Sequence, residues 1–124
     1  MPPSPAAARH AIMAVFVLHG ILLGGWVTHI PLAKTRLDAG LGLFGIALLS
    51  FAIGAVIAMP IAGAIINKKG SAFVTWVAGL GFAAFLFAPA IAPTLPLFML
   101  GGALLGASVG SMDVSMNAHG LAVE

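Results

Sequence analysis

The chain has 124 residues, 61% of them hydrophobic and only 6% charged, with a mean hydropathy of +1.17. A soluble domain carries roughly a quarter charged residues, so this chain cannot cover a water-facing surface, and its solvent is the lipid bilayer. The net charge of +2 comes from five basic residues against three acidic ones. No basic cluster exceeds the pair Lys68 and Lys69, so nothing points to nucleic acid, and the lack of cysteine removes disulfides and thiolate metal sites.

Residues 1–10, MPPSPAAARH, form a short Pro/Ala-rich tail. It could pass for the start of a signal peptide, but the apolar segment behind it is too long for an h-region. A bilayer-spanning helix needs about 20 apolar residues, and four segments qualify. The first covers residues 11–30, with Pro31 as its expected stop. The second covers residues 41–66, ended by Asn67, Lys68, Lys69 and Gly70, with Pro60 expected to kink it. The third covers residues 72–92, and the fourth residues 96–117. Strands would alternate polar and apolar residues, and these segments do not, so the fold class is an all-α integral membrane protein. The short connection APTLP makes the third and fourth spans antiparallel neighbours, whereas PLAKTRLDAGLG reads as a longer loop holding Lys34, Arg36 and Asp38. With the N-terminus in the cytoplasm, Arg9, Lys68 and Lys69 lie inside against Lys34 and Arg36 outside, which follows the positive-inside bias. Trp26 and Trp76 fall near helix ends, where indoles favour the interface.

No residue from Gly70 to Met112 is charged; then comes GSMDVSMNAHG. At 100° per residue, Gly102, Gly106, Gly110, Asp113 and Asn117 share an arc of about 80° on the fourth helix. Glycines at four-residue spacing let a second backbone approach closely, or leave room along a cavity. A carboxylate in a span costs a few kcal/mol unless it faces a bundle interior or an aqueous pathway. Asp113 therefore has two readings: a residue solvated at the inner end of a packing helix, or a group that meets a substrate or a proton. His19, midway along the first span, shares a face with Leu23, Trp26 and Ile30. It is either a buried neutral imidazole bonded to a carbonyl or part of the same pathway. His29 belongs to the outer end and His119 to the inner. These spacings make no metal site. No nucleophile–base set, phosphate loop or paired carboxylates occur, so neither enzymatic chemistry nor a cofactor is expected.

The stretch WVTHIPLAKTRLDAGLGLFGIALLSFAIGAVIAMPIAGAIINKKGS resembles the first two helices and following loop of a major facilitator superfamily transporter. GASVGSMDVSMNAHGLAVE resembles the fourth helix of the bacterial fucose-permease-like branch. The resemblance implies a twelve-helix fold in two halves, of which residues 11–124 form a partial N-terminal bundle. It implies a multi-pass protein of the bacterial inner membrane that carries a small polar solute by proton-coupled secondary transport. Helices one and four line the cavity in that fold, so Asp113 matches a carboxylate for substrate or proton, and Asn117 its polar partner. Gly63, Lys68 and Gly70 fit the superfamily loop G-x-x-x-D-R-x-G. Asn67 stands where that loop has Asp, and Ser71 and Ala72 stand where it has a basic pair. The first helix lacks the outer carboxylate of sugar symporters between residues 24 and 31. About a third of a transporter is covered, so the expected partners are lipid, solute, protons, and the missing C-terminal helices or another membrane subunit. Two other outcomes are a complete four-helix dimeric exporter and an inert membrane fragment.

Overall fold

Ser4 opens the first helix: its hydroxyl accepts the Ala7 N–H at 3.2 Å, and Pro5 takes the first helical position, where the missing N–H costs nothing. The tail expected over residues 1–10 is thus largely helical. The computed structural model describes residues 1–123; Glu124, the last residue of the resemblance, lies outside them. Five helices follow in order: α1 Pro5–Arg36, α2 Leu41–Lys69, α3 Ser71–Phe85, α4 Ala88–Ile91 and α5 Leu95–Val123. The described residues contain no strand. Four stretches are long and apolar enough to cross a membrane, the third being α3 and α4 together, over Ser71–Ile91. This fits a solvent in which the backbone must satisfy its own hydrogen bonds.

Several boundaries differ from those expected of the sequence. Helix α1 does not stop at Pro31 but runs one and a half turns beyond it. The proline gives up one backbone bond. Nearby hydroxyls fold onto the backbone, with Thr28 donating to the Gly25 carbonyl at 2.8 Å and Thr35 to the Pro31 carbonyl at 3.1 Å. The charged loop accordingly shrinks to residues 37–40, with Asp38 at φ 47, a left-handed conformation that Asp tolerates better than most residues. Helix α2 continues through Pro60 and to Lys69. Gly70 alone separates it from α3, at φ 86 and ψ 160, a region essentially closed to side-chain-bearing residues. The third span is broken after Phe85 and resumes as the single turn α4. Pro89 explains the break: it lacks the N–H that would continue the helix to the Phe85 carbonyl, and its ring crowds that carbonyl. Helix α5 extends past the expected residue 117, so Asp113 lies well inside it.

Helix α5 is the centre of the bundle. It packs mainly on α2 and α3, with α4 against its start and α1 touching it more sparsely. Half of its apolar window (50%) is buried, against 11% for α1. Phe82, Phe98, Leu105, Val109, Met112 and Met116 form the heart of the core. Trp26 joins them instead of sitting at the interface: it is 4% exposed, stacks on Phe51 at 6.2 Å and lies tilted against Phe98 at 6.0 Å. Trp76 is 73% exposed, as are many Leu, Ile and Val side chains on the outer surface. Aliphatic side chains spread over the outer surface, while Ala47, Ala62, Ala78, Ser108 and Ser115 are buried beside the Phe, Leu and Met core, a distribution that a lipid solvent permits.

Replacing Gly70 by alanine is expected to cost roughly 1–3 kcal/mol, because the backbone angle is closed to a Cβ. Gly63 lies in a helix with nothing within 4 Å of the Cβ position, so Gly63→Ala should be neutral or gain up to about 1 kcal/mol. Unfolding midpoints of the two variants in detergent micelles compare them directly.

Candidate functional site

The glycine stripe of α5 is occupied by α2. A Cβ on Gly106 would fall on the Phe51 carbonyl, and one on Gly110 would lie 2.7 Å from the Ala55 carbonyl oxygen. Gly102 faces the Ser50 hydroxyl, 2.9 Å from its Cβ position. The approach is reciprocal, since a Cβ on Gly54 of α2 would collide with the Ala103 backbone. These glycines bring the two backbones together and do not open onto a cavity.

Three residues past Gly110 the same helix turns a carboxylate toward α1. Asp113 Oδ1 lies 3.0 Å from His19 Nε2. The imidazole side chain is 7% exposed and the carboxylate 44%. The contact has the distance of an ion pair without the direction of a hydrogen bond, and both His19 nitrogens are buried with no hydrogen-bond partner among the described residues. The carbonyl bond considered for a neutral core histidine is therefore not made. Phe82 of α3 meets the His19 ring edge-on at 5.3 Å. The face expected on α1 is present, because its buried residues His19, Trp26 and Ala33 recur every seven positions. Asn117 is exposed, and its amide donates to the Asp113 backbone carbonyl at 2.8 Å rather than to the carboxylate.

A cleft of about 490 Å³ lies beside this pair, between the first half of α1, α3 and the last turns of α5. Its walls are mainly aliphatic, including Ile12, Val15, Leu18 and Leu80, with His19, Thr75 and His119 as polar points. The latter two are already engaged. His119 Nδ1 lies 2.9 Å from the Ser71 hydroxyl, and Thr75 bonds the fully buried Ser115 hydroxyl at 3.0 Å. Ser71, Thr75, Ser115 and His119 thus form a polar seam joining α3 to α5. Sequence reasoning missed it, although Ser111, Ser115 and His119 recur at helical spacing.

At the opposite end, Arg36 reaches across to the last carbonyls of the third span. Its guanidinium donates to Pro89 at 3.0 Å, to Ala92 at 3.2 Å and to Ala90. A cation at carbonyls that a helix leaves unpaired is favourable. The signal was the crowding of Pro89 and Pro93, which predicts orphan carbonyls there. Of the loop-motif residues, Gly63, Asn67 and Lys68 belong to α2, and Gly70 is the hinge itself. His29 bonds its own helix, with Nδ1 2.8 Å from the Gly25 carbonyl oxygen. The described residues contain no cluster able to hold a metal ion.

Three curated proteins are similar to this chain over nearly its whole length. An uncharacterized transporter, y4wD, of Sinorhizobium fredii is 34% identical over 91% of the chain. Membrane protein MosC of Rhizobium meliloti is 32% identical over 92%. An uncharacterized MFS-type transporter of Yersinia pestis is 29% identical over 88%. The chain spans only 28 to 30% of the length of these relatives. It matches no protein-family model, and no solved structure matches it. The chain is thus a multi-pass membrane protein similar to part of proteins named as transporters.

Gly106→Ala is expected to destabilise by about 1–3 kcal/mol, because its new methyl meets backbone that cannot rotate away. Gly102→Ala meets a serine hydroxyl that can turn, and should cost less. Thermal unfolding of both variants in the same detergent is the check, and equal midpoints would deny the close α2–α5 contact.

Proposed function

We propose that this chain is the N-terminal part of a secondary transporter of the major facilitator kind, carrying a small polar solute across a bacterial inner membrane with proton coupling. Asp113 is the group that meets the proton or the solute, and His19 is its neighbour on the facing helix. The observation that carries this reading is a carboxylate placed within a span, 3.0 Å from a buried imidazole of another span, in a chain similar to transporters over 91% of its length. A carboxylate facing bare hydrocarbon costs several kcal/mol, so such residues face a pathway or protein. Asp113 is nearly half exposed in these four spans, which fits a face completed by water, solute or further helices.

The four spans are then the first of twelve, and α1, little covered here, is flanked by later helices of the same protein or by another membrane subunit. The N-terminus is cytoplasmic, with Lys68 and Lys69 at the inner turn and Arg36 at the outer one, in keeping with the positive-inside bias. Asn117 stands one turn from Asp113 on the exposed side and is available to a solute. The loop residues Gly63, Asn67, Lys68 and Gly70 act through the sharp inner turn between α2 and α3.

Vesicles carrying the full-length transporter and its Asp113→Asn variant test the reading. Solute-driven proton uptake should fall at least about tenfold in the variant while membrane insertion is unchanged. Unaltered coupling across a panel of sugars and other small polar compounds would remove Asp113 from the pathway.

A further inference from the structure

A second groove, of about 300 Å³, runs between α2 and α3 over a floor of α5, and no α1 residue lines it. It exists because its floor is made of small residues. Ala58 and Ala62 of α2, Ala78 and Gly81 of α3, and Ala107 and Ser108 of α5 line it, and their short side chains leave a slot. Ile61, Phe73, Val77 and Leu104 stand around the slot, 38 to 56% exposed. Its α3 wall runs from Phe73 to Phe85, about 18 Å at 1.5 Å per residue. That is close to half of a hydrocarbon core about 30 Å thick. Spread over such a length, about 300 Å³ is too slight for an α-helix, which is about 10–12 Å across, and it suits a single hydrocarbon chain. Left empty, the lining would forfeit its dispersion contacts.

At the end next to Gly70 the groove opens beside two cations. Lys69 Nζ lies 4.7 Å from the centre of the Phe73 ring, which places the ammonium at the mouth. Lys68 precedes it in the last turn of α2, and both lysines are exposed. Neither pairs with a carboxylate among the described residues. Asp38 lies in the loop at the other end of α2, and Asp113 meets His19. We propose that this groove binds one anionic phospholipid of the leaflet that meets the α2–α3 turn. An acyl chain fills the slot between Phe73 and Phe85, and the phosphate sits at Lys68 and Lys69. Basic side chains at a membrane surface attract anionic headgroups, and a lysine meets a phosphate as a point charge. An uncharged occupant would leave both cations without a counter-charge. The site is independent of Asp113 and of transport, since its walls are the three spans fixed to one another by the glycine contacts and the polar seam.

The probe is phosphatidylglycerol with a photoactivatable diazirine in one acyl chain, a minor component of phosphatidylcholine nanodiscs that hold the whole chain. Phosphatidylcholine bearing the same diazirine is the comparison. After irradiation, mass spectrometry of the peptides locates the label. Label on Ile61, Val77 and Leu104 should be at least about fivefold higher from phosphatidylglycerol, because each lysine near the surface contributes about that factor. Lys68→Gln with Lys69→Gln should bring the two lipids level, whereas Lys68→Arg with Lys69→Arg keeps the preference. These lysines are exposed, so their exchange leaves the bundle folded. As a second test, Ala58→Leu with Ala107→Leu fills the slot and should move the label off the groove with both cations in place. Equal labelling by the two lipids, or a preference that survives the glutamine pair, would overturn the site. Protection of the groove from both lipids, here or in the full-length transporter, would also overturn it and assign the face to a second copy or a further helix.

Discussion

The bundle depends on how closely α2 and α5 approach. In lipid, apolar side chains gain little by leaving one hydrocarbon environment for another, so helices associate through close packing and shared hydrogen bonds. Gly54, Gly106 and Gly110 provide that packing by setting backbone against backbone, with Phe51, Ala55 and Ala103 as the surfaces they meet. Once α5 is fixed on α2, the Thr75–Ser115 and Ser71–His119 bonds attach α3 along the polar seam. Three of the four spans are thus locked by short-range contacts, and Asp113 is carried to a set place by the most buried helix.

Helix α1 is different in kind. It contributes a narrow seam in which Trp26 packs among Phe51 and Phe98, and it is otherwise open to its surroundings. Its polar ties are separated along the helix, one to a proline-broken turn and one to a carboxylate. The glycines of α1, Gly20, Gly24 and Gly25, meet nothing within 4 Å, so α1 lacks the backbone contact that joins α2 to α5.

The hinge at Gly70 and the break before α4 show how single residues set the ends of spans. A positive φ in a one-residue turn makes α2 and α3 immediate neighbours. Pro89 turns the top of the third span into a separate turn whose carbonyls need a donor, and Arg36 supplies it. Both features lie at the membrane's edges, where charged side chains are tolerated and can satisfy backbone that lipid cannot.

Composition and run length alone determined the solvent, the helical class and the number of spans, because hydrocarbon admits few other solutions for so apolar a chain. The arc shared by Gly102, Gly106, Gly110 and Asp113 was also legible, since a helix fixes angular spacing whatever surrounds it. Helix ends were less legible: Pro31 reads as a stop in water, yet in α1 the helix passes through it while neighbouring hydroxyls bond the backbone. What the stripe faces was not legible at all. A glycine spacing is the same beside a cavity and beside another backbone, and only the position of α2 decides between them. The same holds for His19 and Asp113, which lie 94 positions apart in sequence. Their meeting follows from the packing of α1 on α5, a relation between helices that periodicity within one helix does not contain.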